Sequence, residues 1–101
     1  SLNRFLISFK PNFSMSKINQ AEFTTCDLRN SDFNDCKLTS IAFTNCELVE
    51  AEFSHTPLRG IDLSDSHIEG IHVNLPDIRG AIVSTHQAMD LTSLLGLVIK
   101  D

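Results

Sequence analysis

Cys26, Cys36 and Cys46 stand ten residues apart in this 101-residue chain, and thiolates are the side chains best suited to soft metals, disulfides or nucleophilic attack. An odd number at that spacing matches neither a disulfide framework nor the short ligand loops of a zinc site. They are expected to be small inward-facing thiols, with Cys26 and Cys46 stacked on one another. The 4 histidines and 13 carboxylates offer acid–base chemistry, but no catalytic context surrounds them. The chain has no nucleophile elbow, no phosphate-binding glycine loop, no paired-histidine metalloprotease helix and no dinucleotide fingerprint. General acid–base work also needs a pocket that shifts pKa values, so catalysis, cofactors and metals are not expected.

The elements that position these groups follow from a period of five. Phe13, Ile18, Phe23, Leu28, Phe33, Leu38, Phe43, Leu48, Phe53, Leu58, Leu63, Ile68, Val73 and Ile78 are all large and apolar. That period fits neither a helix stripe near 3.6 nor a strand alternation of 2, so the chain must turn a corner once per repeat. Two residues before each centre comes a small or apolar residue, such as Ala21, Cys26, Ser31, Cys36 or Ala51. On extended backbone that places both side chains on the same, inward side. The remaining three positions are mainly polar or turn-forming and face water.

Ala21-Glu22-Phe23-Thr24-Thr25, Ser31-Asp32-Phe33-Asn34-Asp35 and Ile61-Asp62-Leu63-Ser64-Asp65 resemble the unit A(D/N)LXX of the pentapeptide repeat family. The resemblance implies an all-β fold, a right-handed quadrilateral β-helix in which four repeats make one coil and residues twenty apart stack. The expected organisation is an N-terminal cap or remnant of an earlier coil over residues 1–12, a β-helix over 13–83, and a C-terminal helix and tail over 84–101.

Sorted at a period of twenty, the centres fall on four faces. Face A carries Phe23, Phe43 and Leu63, and face C, opposite, carries Phe13, Phe33 and Phe53. Leu28 and Leu48 lie on face B, with Leu38 and Leu58 on face D. These ten residues are the expected structural core. At the C-terminal end, Ser84-Thr85-His86-Gln87 fits a capping box, and Ala88, Leu91, Leu94 and Leu95 form an apolar stripe that Gly96 can end. A helix is expected over roughly 85–95. Leu91, Leu94, Leu95, Leu97, Val98 and Ile99 are the expected contact of a homodimer, the alternative being a lid within one chain.

Outward residues set the charge map. Asp27 and Glu47 with His67 line face B; Asp32 and Glu52 with His72 line face C; Asp35 and Glu50 add to the same two faces. Each of His67 and His72 is expected one coil from a carboxylate, Glu47 and Glu52 respectively, whereas His55 and His86 show no partner pattern. Face D collects Lys17, Lys37, Arg59 and Arg79, with Asp77 its one carboxylate. The acidic faces are the expected partner-binding surface. A net charge of −5 argues against direct nucleic-acid binding, and no apolar run approaches a bilayer span. The expectation is a cytoplasmic, non-enzymatic protein-binding or structural module. Its C-terminal end is also similar to the Qnr and MfpA group of the family. That resemblance implies the alternative of a DNA mimic that binds DNA gyrase or topoisomerase and protects it from quinolones.

Overall fold

The computed structural model describes residues 11–98 and 100, so most of the expected N-terminal segment, 1–12, lies outside the described residues. Strand β1 (Lys17–Thr24) pairs in parallel with β2 (Lys37–Thr44), placing Lys17 opposite Lys37 and Phe23 opposite Phe43. Isolated parallel bridges carry the same offset of twenty through the rest of the column: Asp27 with Glu47, Asp32 with Glu52, Glu47 with His67, Glu52 with His72, and Asp62 with Ile82. Each winding is therefore hydrogen-bonded to the next, as where Phe33 N–H donates to Glu52 O at 2.8 Å and Glu52 N–H to Ser31 O at 2.9 Å. The fold is a β-helix.

As far as Leu58, a corner with positive φ falls two residues after each centre: Met15, Gln20, Thr25, Asn30, Asp35, Ser40, Asn45, Glu50, His55 and Gly60; Gly70 and Gly80 resume the series, from which Asp65 and Leu75 are missing. Asn and Asp tolerate this left-handed region best among residues with a side chain; a β-branched residue tolerates it poorly. Thr25, at φ 54°, is thus the strained member. Thr25→Gly is expected to raise stability by about 1 kcal/mol, the relief of strain exceeding the added chain entropy. A higher denaturant midpoint at unchanged slope is the expected readout, and an unchanged midpoint contradicts it.

The interior is solid. Phe23, Phe33, Phe43, Phe53, Leu28, Leu48, Leu58 and Leu63 are buried. The rings of Phe33 and Phe53 stack at 5.0 Å, those of Phe23 and Phe43 at 5.2 Å, and the two ladders meet edge to face, Phe33 to Phe43 at 5.8 Å. Two expected core residues differ: Phe13 and Leu38 are only half-buried against the cluster. Phe13 lies on the first described rung. Leu38 lies where β2 runs on through the corner at Ser40, whereas the corner after Leu58 closes as a turn, Ile61 N–H donating to Leu58 O at 3.0 Å.

The small inward residues do more than fill space. Cys36 Sγ donates to Phe13 O at 3.1 Å, Cys46 Sγ to Phe23 O at 3.0 Å, Thr56 Oγ1 to Phe33 O at 2.5 Å and Ser66 Oγ to Phe43 O at 3.1 Å. Thr56 and Ser66 also accept from Cys36 N–H and Cys46 N–H. Carbonyls that turn inward are thereby satisfied without water. Ser31 is the exception, its buried hydroxyl lacking any partner among the described residues.

At the far end the last winding contains a short helix, α1 (Leu75–Ile78), which the five-residue pattern hides because Ile78 stays in phase. Pro76 favours it by fixing φ in the first helical turn. The expected helix over 85–95 is found in two parts, α2 (Thr85–Leu91) and a 3₁₀ turn (Thr92–Leu95), closed by Gly96 at φ 69°. Ser84 and Gln87 form the capping box in both directions.

Candidate interaction faces

With the centre of the column filled by its own side chains, every charged group is displayed outward. Parallel register stacks like positions rung over rung and decides which of them meet. On face B, Arg29 forks onto Asp27, its Nε and Nη2 at 2.8 and 2.7 Å from the two carboxylate oxygens. One winding on, His67 Nδ1 lies 3.0 Å from Glu47 Oε2. Asp27, Glu47 and His67 line one surface depression, but each carboxylate there already has a basic partner.

Face C is arranged differently. His72 Nε2 lies 3.0 Å from Glu50 Oε2 and not against the expected Glu52. Gly70 is the reason: the Glu50 carboxylate occupies the space beside it, Oε1 being 2.7 Å from where a Cβ would stand. His55, which shows no partner pattern in the sequence, lies 3.9 Å from Asp35, and His86 lies 3.7 Å from Asp90. Both pairs follow once the fold is known, His55 through the twenty-residue offset and His86 through i,i+4 spacing on α2. Among the described residues Asp32 and Glu52 have no basic partner; Asn34 ties them, its N–H donating to Asp32 Oδ1 at 2.9 Å and its Nδ2 to Glu52 Oε1 at 3.1 Å. Of the six expected acidic contacts, Asp27, Asp35, Glu47 and Glu50 face internal partners, leaving Asp32 and Glu52 as the unpaired step of the ladder.

Hydrogen bonds from Arg29, then its charge, hold the Asp27 carboxyl below its ordinary value of 3.8. The Ser64 hydroxyl and N–H do the same for Asp62. For a depressed acid the unfolded chain binds more protons just below its ordinary pKa, so the associated stability is present above that pH and fades as pH falls through the folded value. Asp27→Asn is therefore expected to shallow the acid limb of the stability profile below about pH 4 and to leave its shape near neutrality intact. An unaltered acid limb contradicts this.

Burial pushes all three cysteines up, Cys46 to about 11, which keeps them as thiols. Cys26 and Cys46 hold the same inward position on adjacent windings, as expected, beside the bridge between Asp27 and Glu47. Among the described residues, no group of three or more His, Cys, Asp or Glu is arranged to hold a metal ion, and no helix is long and apolar enough to cross a membrane.

The C-terminal residues divide in two. Leu91 and Leu94 pack against the core, whereas Leu95, Leu97 and Val98 are 56%, 58% and 93% exposed. Ile99, also expected at a dimer contact, lies outside the described residues.

Residues 9–53 match the family described as pentapeptide repeat region. Among solved structures, the chain is similar to a pentapeptide repeat protein from the thylakoid lumen of Arabidopsis thaliana, at 28% identity and a TM-score of 0.61, covering 74% of this chain and 52% of that one. It is also similar to QnrB1, described as a plasmid-mediated fluoroquinolone resistance protein, at 20% identity and a TM-score of 0.52, covering 88% of this chain and 45% of that one. The chain thus spans about half the length of these structures. No curated protein matches the sequence.

Proposed function

We propose that this pentapeptide repeat protein is a non-enzymatic, cytoplasmic module that binds a protein partner or serves a structural role through its outer faces. The observation that carries the reading is the filled interior: among the described residues the Phe and Leu ladders are buried and stacked on one another along the axis, so recognition falls to convex walls. The fold in this reading is a right-handed, four-sided β-helix. Four corner residues per twenty-residue winding and equal cross dimensions of 22 × 22 Å support four sides. The strong preference of parallel crossovers supports the hand.

Asp32 and Glu52 are the docking carboxylates, since among the described residues neither has a basic partner. Their replacement by Asn and Gln tests the assignment. Partners recovered by cross-linking to the wild-type chain should be lost with Asp32→Asn/Glu52→Gln, and an unchanged set of partners removes the acidic face from the proposal. The exposed Leu95, Leu97 and Val98 support a homodimer contact at the C-terminal end, with Leu91 and Leu94 serving as the lid. A dilution-resistant monomer by sedimentation would remove that part.

The narrower reading is a DNA mimic that binds DNA gyrase and protects it from quinolones. The column shared with QnrB1 favours it; the internal pairing of Asp27, Glu47 and Glu50 counts against a continuous anionic row. A supercoiling assay with purified gyrase decides between the two. No effect at high excess, with or without a quinolone, discards the mimic.

A further inference from the structure

We infer that Lys17, Lys37, Arg59 and Arg79 form a docking strip for the acidic face C of a second copy of this chain. All four cations are exposed on face D, and among the described residues none of them makes an ion pair. This sets them apart, because Arg29 is forked onto Asp27 and His67 and His72 sit against glutamates. Lys17 lies directly opposite Lys37 in the parallel register. Like charges placed opposite one another on adjacent strands destabilise a sheet, and among the described residues no carboxylate pairs with either lysine. Arg59 and Arg79 repeat the arrangement farther along, the Arg59 stem lying over Gly80, where a Cβ would stand 3.0 Å from its Cγ. A local rule broken without internal compensation points to a partner outside the chain.

Spacing selects the partner. Adjacent windings are about 4.7–4.9 Å apart, so the cations repeat at that rise. An extended acidic peptide presents same-side carboxylates about every 6.4–6.8 Å, and a nucleic-acid strand presents phosphates about every 3.4 Å along the duplex axis. Neither matches over several rungs. Another β-helix does, and this chain carries its own anionic counterpart: Asp32 and Glu52 are directly opposite in register and, among the described residues, have no basic partner. Two rungs of Lys can therefore meet two rungs of carboxylate at once. The patches are different surfaces of the molecule, so the contact is heterologous and each copy can engage two neighbours. This goes beyond the binding role proposed above and uses the same carboxylates, so self-association and partner capture compete at face C.

The test needs only the purified chain. Sedimentation velocity is expected to show the weight-average mass at about 10 mM salt, where the Debye length is about 30 Å, to be about twofold or more above that at about 1 M, where it is about 3 Å. An apolar C-terminal dimer persists in high salt and so forms part of the baseline rather than of this rise. Lys17→Glu/Lys37→Glu alone and Asp32→Lys/Glu52→Lys alone should each lose the low-salt species. An equimolar mixture of the two variants should regain it, because each now offers the complement of the other. A mass independent of salt, a low-salt species that survives either double substitution, or variants that fail to associate on mixing would each overturn the inference.

Discussion

Phe33→Ala is expected to cost about 3–5 kcal/mol, with aromatic contacts adding to the loss of buried area. The ring of Phe33 touches four others: Phe13 at 4.8 Å and Phe53 at 5.0 Å above and below, Phe23 at 5.9 Å and Phe43 at 5.8 Å across the column. Few single side chains in a domain this small touch so much of its core. The column cannot close over the void, because each rung is held at fixed spacing by backbone hydrogen bonds to both neighbours, including Phe33 N–H to Glu52 O at 2.8 Å. Phe43→Ala should behave alike, having three ring neighbours. A useful contrast is Phe43→Leu. The next rung of the same face already carries Leu63, fully buried, so the loss should stay below about 1.5 kcal/mol. Denaturant unfolding of the three variants checks the order, and equal midpoints for the Ala and Leu variants at position 43 would mean that the loss lies in the ring contacts and not in buried volume.

Most of this interior was legible because a period of five is written in the bulky residues themselves. Phe23 to Leu63 announce their inward direction by size, and the offset of twenty follows from four corners per winding. A second period, of ten, stands beside it and is harder to read. Cys26, Cys36, Cys46, Thr56 and Ser66 are the inward small residues of faces B and D, whereas Ala21, Ile41, Ala51, Ile61 and Ile71 mostly hold faces A and C. In the first series Cys36, Cys46, Thr56 and Ser66 donate to a carbonyl one winding back; the second series is apolar. Read only as fillers, the cysteines lose this role. Ser31 puts a hydroxyl in the otherwise apolar series, where it has no hydrogen-bond partner among the described residues.

The candidate site was less legible, for a physical reason. Column and rung are fixed by register, but where a flexible carboxylate points depends on what its neighbours leave open. Glu52 is the bridge partner of His72, yet the imidazole meets Glu50, because Gly70 leaves that carboxylate room to approach. The same freedom turns an acidic stripe in the sequence into a set of local pairs, with Asp32 and Glu52 left over. Net charge by face therefore overstates how much charge a partner meets on the acidic side, whereas the exposed cations of face D make no ion pair among the described residues.

Gln87→Ala is expected to destabilise the chain by about 3–5 kcal/mol, as much as a core truncation, although the residue is polar and terminal. A β-helix ends in carbonyls that have no next winding to serve them. In the preceding coils Phe23 O and Phe43 O accept from the side chains of Cys46 and Ser66, and Cys46 O accepts from His67 N–H. At the last winding the equivalent acceptors are Leu63 O and Ser66 O. Both are met by the single Nε2 of Gln87, at 2.7 Å each. Its Oε1 meanwhile accepts from Ser84 N–H at 2.9 Å, and its own N–H donates to Ser84 Oγ at 3.2 Å. One buried amide thus stands in for the missing coil and starts α2. Truncation takes the side-chain donor from Ser66 O, leaves Leu63 O only the Ser66 N–H at 3.1 Å, and opens the capping box. Gln87→Glu separates this account from simple packing, because the shape is kept while both donors are lost. An ionised carboxylate against two carbonyl oxygens is repelled, so the folded chain raises its pKa above the ordinary value of about 4.3. For a raised acid the penalty is small below the unfolded pKa and grows as pH climbs through the folded one. The Glu variant should therefore approach wild-type stability near pH 4 and fall well below it at pH 7, whereas the Ala variant should be weak at both. A Glu variant whose deficit is the same at the two pH values would mean that Gln87 fills space at the end of the column and does not cap it.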